Sequence, residues 1–253
     1  MTHVTILTGA SKGIGRSIAE VLLKKDASYK LIAVARSGSD LNELVKQFGA
    51  DRVCVVVGDV TEAETSQKAV NLAVSKFGQL DSVIANAGVL DPVGPFQSVD
   101  IAKWRRLFDI NYFSVIELIQ ASLPELRKTK GNVIAVSSGA STKPYSGWHA
   151  YGGSKAAVNH LIASVAADEP DVSALSIAPG VVDTSMQKDI REKFGKGMDP
   201  ESLKRFIDLH ANNELLQPDV PARVYVNLAT EGWSKDIDGQ YLRFNDGVLK
   251  KYA

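Results

Sequence analysis

The sequence has little cysteine, no excess of charge of either sign and no long hydrophobic run. Cys54 is the single cysteine among 253 residues, so no internal disulfide can form and a reducing compartment is expected. It lies in the apolar run 52–57, which predicts a small buried strand residue rather than a reactive thiol. Basic and acidic residues number 29 each, and this balance excludes the basic surface that nucleic acid or a membrane surface would require.

A membrane-spanning or exported chain is not expected either. No segment is apolar over ~18 residues, the length that crosses a bilayer. The N-terminus runs directly into the apolar segment 3–8 without the charged leader and apolar core of a signal peptide. Histidine and cysteine do not cluster, so the sequence predicts no metal site. We therefore expect a cytoplasmic protein that binds neither nucleic acid nor membrane.

What the sequence does contain is a regular alternation of two kinds of segment. Short apolar segments rich in β-branched residues predict strands at His3–Thr8, Lys30–Arg36, Arg52–Val57, Asp81–Asn86, Asn132–Ser137, Ser173–Ala178 and Gln240–Phe244. Amphipathic segments predict helices at Ile14–Lys25, Leu41–Phe48, Glu62–Phe77, Ile101–Arg127 and Tyr151–Ala167. The segment from Thr61 to Glu64 has the Thr-x-x-Glu form of a capping box and is predicted to begin the third helix.

This alternation predicts an α/β fold. Runs such as 54–57 are apolar without alternating, which is typical of parallel strands covered on both faces. We predict one doubly wound, Rossmann-type domain over residues 1–253, with a parallel sheet of about seven strands and helices on both faces. Residues 183–218 are helical, polar and charged, and they interrupt the alternation. We interpret them as a helical cap over the substrate, with a plain surface insertion as the alternative.

Three glycines follow the first predicted strand. They let the backbone turn tightly and let a pyrophosphate approach the N-terminus of the first helix, where N–H groups and the helix dipole favour anions. Their position between a strand and a helix makes the pattern specific. The residues expected to bind phosphate are Gly9, Ser11, Lys12, Gly13, Ile14 and Gly15.

The same turn also fits Gly-x-Ser-x-Gly, the nucleophile elbow of hydrolases, with Ser11 as the serine. In that fold an acid and then a histidine follow the serine in the chain. The last histidine is His210, which lies in the charged insertion without a distinctive context. A hydrolase is therefore the less favoured interpretation.

The end of the second predicted strand distinguishes between the two nicotinamide cofactors. An NAD site usually presents an acid there for the ribose 2′-hydroxyl, but residues 34–37 contain none. Arg36 is a fork of donors suited to a phosphate, Ser37 follows it, and Lys12 supplies a second cation from the glycine turn. Two cations without an anion predict NADP(H), although solvated surface charges are the alternative.

Four polar residues form a candidate catalytic group. Tyr151 and Lys155 open a predicted helix and lie on one face of it, four residues apart. A nearby ammonium is expected to lower the pKa of a tyrosine, which would make Tyr151 a general acid or base. Ser138 ends the fifth predicted strand, at the edge where ligands bind. Asn111 is a polar residue within a long helix, and such a helix can bend around it.

These motifs together resemble the short-chain dehydrogenase/reductase family. The resemblance covers nearly the whole chain, and no catalytic position is missing. The residues that carry it are, in order, Thr8, Gly9, Gly13, Ile14, Gly15, Asp59, Val60, Asn86, Ala87, Gly88, Asn111, Ser138, Tyr151, Lys155, Pro179 and Gly180.

The resemblance implies a role for each residue. Tyr151 would be the catalytic acid, and Ser138 would steady the substrate carbonyl. Lys155 would hold the nicotinamide ribose and tune Tyr151, while Asn111 would hold a water that links Lys155 to solvent. The hydride would pass from the cofactor to the carbonyl carbon. The other cofactor contacts would be Asp59 and Val60 at the adenine, Asn86, Ala87 and Gly88 along the cofactor, and Pro179, Gly180, Val182 and Thr184 on the nicotinamide side.

Residues 137–151 and 178–187 resemble the sepiapterin reductase and benzil reductase branch of the family. That branch reduces vicinal dicarbonyls and aryl ketones with NADPH, which implies an NADPH-dependent carbonyl reductase. Sites for such ligands are mostly apolar. The expected walls are Leu90, Tyr145, Trp148 and Met186, although Trp148 packing against the neighbouring helix is an equal alternative.

Two other functions are weighed beside this one. A sepiapterin-type pterin reductase would use Asp246, whose place is similar to that of the aspartate that anchors the pterin, but Asn-Asp-Gly is also an ordinary turn sequence. A non-catalytic NADP-sensing protein on the same fold would need the glycine turn only. The complete set of Ser138, Tyr151, Lys155 and Asn111 counts against a sensor.

The expected partners are a small carbonyl substrate and further copies of the chain. By resemblance, the helices at 101–127 and 151–167 would pair across the axis of a homodimer or homotetramer. The small residues Ala156, Ala157, Ala163, Ala166 and Ala167 would permit this close approach. They could equally pack against the sheet of their own chain.

Overall fold

Seven parallel strands form one sheet at the centre of the molecule. The structure is a computed structural model that describes residues 2–253. The strands lie in the order β3-β2-β1-β4-β5-β6-β7. They are β1 Val4–Thr8, β2 Lys30–Ala35, β3 Val53–Val57, β4 Ser82–Ala85, β5 Asn132–Val136, β6 Ser173–Ala178 and β7 Tyr241–Arg243. Each predicted strand is confirmed to within one residue at either end, and so is the doubly wound α/β fold.

Helices cover both faces of the sheet. Within residues 2–253 they are α1 Gly13–Lys25, α2 Gly38–Phe48, α3 Ala63–Phe77, α4 Ile101–Phe108, α5 Ser114–Thr129, α6 His149–Asp168, α7 Ser185–Asp189, α8 Pro200–Ala211 and α9 Asp219–Glu231. Apolar residues of α1, α2 and α9 pack on one face, and those of α3, α5 and α6 pack on the other. Successive strand side chains point to opposite faces, so Leu7 joins the first layer and Ile6 the second.

The long helix predicted at 101–127 is helical throughout but changes its hydrogen-bond pattern in the middle. A π-helical turn, Asp109–Phe113, separates α4 from α5 and contains the fully buried Asn111. A π-helical turn inserts an extra residue into the helix and bends it. The irregularity expected at Asn111 is therefore present as a π-helical turn. Beside it, the Ser114 hydroxyl donates a hydrogen bond to the Ile110 carbonyl oxygen at 2.6 Å.

The capping box predicted at the start of α3 is wrong. The helix begins at Ala63, so Glu62 rather than Thr61 occupies the capping position. The Thr61 hydroxyl instead donates to the Asp59 carboxylate at 3.0 Å. A local hydrogen bond to an acid two residues earlier has replaced the bond to the helix N-terminus.

The interrupting segment 183–218 contains α7, a π-helical turn at Ile190–Phe194, and α8. A parallel bridge between Val182 and Leu216 joins its two ends. The segment therefore leaves and rejoins the domain at one place, beyond the carboxyl end of β6. Across residues 2–253, no helix combines the length and the apolar character needed to cross a bilayer.

Candidate active site

A cleft of about 580 Å³ runs along the carboxyl ends of the strands. It begins where β1 and β4 lie side by side although β2 and β3 come between them in the chain, which is where doubly wound sheets bind ligands. Every residue expected to contact the cofactor lines it: Gly9, Ser11, Lys12, Gly13, Ile14, Gly15, Arg36, Ser37, Asp59, Val60, Asn86, Ala87, Gly88, Tyr151, Lys155, Pro179, Gly180, Val182 and Thr184.

The glycine turn is packed so closely that its glycines cannot be replaced. Gly9 has a φ of +68°, and a Cβ at Gly15 would lie 2.2 Å from the Gly9 carbonyl oxygen and 2.5 Å from Asn86 Nδ2. That Nδ2 donates to the Thr8 carbonyl oxygen at 2.9 Å. The Thr8 hydroxyl accepts the backbone N–H groups of Asn86 and Ala87 at 3.0 and 3.1 Å. These bonds join β1 to β4 and leave the N-terminus of α1 facing the cleft.

Two cations lie at this end of the cleft. Lys12 and Arg36 are both exposed, and neither forms an ion pair with an acid of residues 2–253. Ser37 and Asp40 line the same end. Sequence reasoning missed Asp40 because α2 begins three residues before its predicted start and brings the first turn of the helix to the cleft.

Asp59 is held in place by donors on either side. Its Oδ1 accepts the Thr61 backbone N–H at 3.1 Å, and its Oδ2 accepts Arg106 Nη2 at 2.7 Å. Burial alone would raise the pKa of Asp59, but these hydrogen bonds outweigh burial and keep the pKa below its usual value. The side chain is therefore a fixed carboxylate at the rim of the cleft.

Ser138, Tyr151 and Lys155 meet at the middle of the cleft. Ser138 follows β5, and its hydroxyl oxygen accepts the Ala140 backbone N–H at 3.1 Å and shares a hydrogen bond with the Tyr151 hydroxyl. Helix α6 places Tyr151 and Lys155 one turn apart on the same face. Lys155 Nζ donates to the Val136 carbonyl oxygen at 2.7 Å. Both α6 side chains are buried.

Burial governs the protonation of this pair. It raises the pKa of Tyr151, and the hydrogen bond with Ser138 offsets only part of that rise. It also lowers the pKa of Lys155 to about 8. The expectation that Lys155 lowers the pKa of Tyr151 is therefore wrong for this structure. Desolvation of the phenol prevails, so Tyr151 keeps its proton at neutral pH and is suited to act as an acid.

Asn111 lies behind the cleft rather than on it. Its Oδ1 accepts the Val89 backbone N–H at 2.8 Å, and its Nδ2 donates to the Val89 carbonyl oxygen at 2.9 Å and to Ser154 Oγ at 3.2 Å. Ser154 in turn donates to the Tyr151 carbonyl oxygen at 2.8 Å. The amide thus joins the segment after β4 to the helix of Tyr151. The water-holding role implied by the family stays a prediction.

Aromatic side chains enclose the cleft beyond Tyr151. The Trp148 ring stacks on Phe206 of α8 with centroids 5.3 Å apart, and it meets Tyr151 edge-on at 5.7 Å. Tyr145 lies 5.0 Å from Trp148. Trp148 therefore packs against the cap and lines the cleft at once, so the two alternatives are not exclusive. All four expected walls line the cleft: Leu90, Tyr145, Trp148 and Met186.

Sequence reasoning missed two arginines that line the cleft beyond Tyr151. Arg205 of α8 donates from Nη1 to the Tyr145 hydroxyl at 2.5 Å, and Arg243 lines the cleft from the end of β7. No local motif marks either residue, because only the sheet order and the cap position bring them here. Asp246 does not line the cleft. Its carboxylate accepts the Arg243 backbone N–H at 2.7 Å, as in an ordinary turn.

Comparison with known proteins places this cleft in a family. Residues 3–195 match the family model described as short chain dehydrogenase. The chain belongs to the short-chain dehydrogenase family. The crystal structure of the Saccharomyces cerevisiae short chain dehydrogenases/reductase YIR035C superposes with a TM-score of 0.97, at 46% identity and 99% coverage of both chains.

Two relatives in this family carry the name Benzil reductase ((S)-benzoin forming). IRC24 from Saccharomyces cerevisiae is 44% identical over 258 residues, which cover 98% of each chain. The Bacillus cereus protein is 33% identical over 233 residues, which cover 88% of this chain and 92% of that protein. The chain is thus similar to proteins of the benzil reductase branch.

Family membership makes the chain an oxidoreductase that uses a nicotinamide cofactor. The cleft fits that group. Gly9 and Gly15 of the glycine turn have no room for a Cβ, and a Cβ at Gly88 would stand 3.3 Å from Asn111 Oδ1 and 3.6 Å from Lys155 Nζ. The hydrolase interpretation of Ser11 fails, since no histidine of residues 2–253 lines the cleft to activate the serine.

Proposed function

We propose that the protein is an NADPH-dependent carbonyl reductase that acts on 1,2-dicarbonyls and aryl ketones. The observation that carries this proposal is a single cleft that joins the glycine turn to a pocket of aromatic side chains, with Ser138 and Tyr151 between them. The similarity to two benzil reductases supports the same substrate class. The homo-oligomer stays a prediction.

The chemistry assigned to the protein is positioning of the ketone and donation of one proton. Ser138 and the Tyr151 hydroxyl bind the carbonyl oxygen and polarise it. The nicotinamide, when bound, supplies the hydride that the carbonyl carbon accepts. Tyr151 gives its proton to the oxygen, so the product is an alcohol. The Lys155 ammonium stabilises the tyrosinate that remains, in a buried site where charges interact strongly.

The preference for NADPH rests on the charges at the glycine turn. Lys12 and Arg36 are free of ion pairs with residues 2–253, and Asp40 is the acid that lines this end of the cleft with them. The two cations favour the 2′-phosphate of NADPH, and a guanidinium binds phosphate oxygens with paired hydrogen bonds. Asp59, the next acid along the cleft, is already neutralised by Arg106.

The proposal is tested by the loss of reduced-cofactor absorbance with 1-phenyl-1,2-propanedione as substrate. We expect kcat/KM with NADPH to exceed that with NADH by at least about 10-fold, since charge-assisted hydrogen bonds to phosphate are strong. Arg36→Met is expected to reduce this ratio by about 10-fold, whereas Arg105→Met, which removes an exposed cation outside the cleft, is expected to leave it unchanged. Equal use of both cofactors would overturn the NADPH assignment.

The pH dependence follows from the two buried groups. We expect kcat/KM for ketone reduction to be level below about pH 8 and to fall above it, because Lys155 loses its charge near its pKa of about 8 while Tyr151 still holds its proton. In Lys155→Arg the guanidinium stays charged, so the fall in kcat/KM above about pH 8 is expected to disappear, even if the variant is slower than the wild type. A wild-type profile that is level to about pH 10 would contradict this assignment.

Two alternatives give different results in the same assay. A pterin reductase that anchors its substrate through Asp246 is disfavoured, because that carboxylate is bonded to the Arg243 N–H outside the cleft. Such a pterin reductase would reduce a pterin ketone in preference to the diketone. An NADP sensor would bind NADPH and turn over no ketone at all.

A further inference from the structure

Arg243 lies at the edge of the part of the cleft that aromatic side chains enclose, and hydrogen bonds hold its backbone in place. It is the last residue of β7 and pairs with Ala178 of β6. The Phe244 backbone N–H donates to the Ala178 carbonyl oxygen at 2.9 Å, and the Arg243 N–H donates to the Asp246 carboxylate at 2.7 Å. Bonds on both sides fix the backbone, so the side chain starts from a defined point.

The guanidinium reaches across β6 to the active site. Its Nη1 lies 3.5 Å from the place where a Cβ on Gly139 would stand, and Gly139 directly follows Ser138. The side chain lines the cleft and makes no hydrogen bond or ion pair with any residue of 2–253. The guanidinium therefore has free hydrogen-bond donors close to Ser138, the serine that binds the ketone oxygen in the proposed reaction.

Of the other charged residues that line this part of the cleft, Arg205 and Asp189 have side-chain partners. Arg205 donates to the Tyr145 hydroxyl, and its guanidinium lies 5.9 Å from the centroid of the Tyr145 ring. Asp189 forms an ion pair with Lys193 at 2.6 Å. Asp91 lines the cleft on the segment that follows β4. Lys155, the other cation near Ser138, is buried and donates to the Val136 carbonyl oxygen, so Arg243 is the exposed cation whose guanidinium has no partner among residues 2–253.

We propose that Arg243 is the specificity-determining residue of this cleft and that it selects ketones that bear a carboxylate on an aryl or apolar body. The inference rests on the proposed reductase function and names its substrate class more closely. A guanidinium binds a carboxylate through two parallel N–H···O bonds, whereas a neutral carbonyl receives one weaker bond. The aromatic rings of Trp148 and Phe206 accept the apolar body.

The test compares benzoylformate with its methyl ester, two ketones that differ in the charge of one group. For the wild-type protein with NADPH, we expect KM for benzoylformate to be at least about 10-fold below that for the ester. Arg243→Met, which keeps the apolar stem, is expected to raise KM for benzoylformate by about 10-fold and to change KM for the ester less than about 2-fold.

A matched variant separates Arg243 from the general charge of the cleft. Arg205→Met removes a cation from the same cleft that is already bonded to Tyr145, so its effect on the ratio of the two KM values is expected to be below about 3-fold. An equal loss of selectivity in Arg205→Met and Arg243→Met would overturn the assignment. So would a wild-type protein that prefers the ester.

A binding measurement tests the same contact without turnover. Quenching of tryptophan fluorescence reports the dissociation constant of benzoylformate for the protein with NADP⁺, and Arg243→Met is expected to raise that constant by about 10-fold. Reduction of the neutral diketone with no preference for the keto acid would overturn this inference and leave the proposed function standing. Absence of reduction of every ketone would overturn both.

Discussion

Replacing Tyr151 by phenylalanine is expected to lower kcat for ketone reduction by about 10³-fold, the range of a lost general acid. The hydroxyl is the group that shares a hydrogen bond with Ser138, and burial holds its proton. Without it the developing negative charge on the substrate oxygen loses the proton donor that the proposed reaction uses. The phenyl ring still fills the space against Trp148, so the fold is expected to survive.

The measurement is single-turnover loss of NADPH absorbance together with an NADPH titration. The dissociation constant for NADPH is expected to change less than about 3-fold, because the Tyr151 hydroxyl accounts for few of the contacts along the cleft. Tyr29→Phe removes a hydroxyl from a tyrosine outside the cleft and serves as the control. If Tyr151→Phe kept more than about a tenth of the wild-type kcat, a general-acid role for Tyr151 would be wrong.

The second large effect is expected from Gly15→Ala. Its new Cβ would stand 2.2 Å from the Gly9 carbonyl oxygen and 2.5 Å from Asn86 Nδ2. Neither neighbour can yield cheaply, because Gly9 is held at a positive φ and Asn86 is bonded to Thr8. The turn must shift, and with it the N–H groups at the start of α1 that face the cleft.

We expect this variant to lose about 3 kcal/mol of unfolding free energy in urea and to bind NADPH at least about 10-fold more weakly. Gly247→Ala is the matched control, since a Cβ there meets no atom within 4 Å and the residue has no positive φ. It is expected to change neither quantity beyond about 0.5 kcal/mol. Wild-type NADPH affinity in Gly15→Ala would refute the close-packed phosphate turn.

Much of this molecule was predictable because its signals are local. Non-alternating apolar runs such as 54–57 indicate strands covered on both faces, and each predicted strand is present to within one residue at either end. The tight turn at the glycines before α1, and the placement of Tyr151 and Lys155 on one helix face, could be predicted from turn and helix geometry alone. The capping box at Thr61 failed because two local hydrogen bonds competed, and the bond to Asp59 prevailed.

Quantities that depend on packing were not predictable. The pKa of Tyr151 is raised rather than lowered because burial outweighs the hydrogen bond with Ser138, and burial is a property of the assembled cleft. Asp40 reached the cleft only because α2 begins three residues before its predicted start. Asp246 is the opposite case, because its favoured interpretation as a turn aspartate is confirmed: its carboxylate accepts the Arg243 N–H.

The sequence by itself determined the parallel αβ order, the glycine turn and the identity of the serine, tyrosine and lysine, since each depends on neighbours within a few residues. Only the tertiary structure decided what surrounds them. The sheet order β5-β6-β7 brings Arg243, a hundred residues from Ser138 in the chain, beside Gly139. The cap places Phe206 on Trp148 in the same way. Contacts between distant segments are set by packing of the whole chain, and no local pattern encodes them.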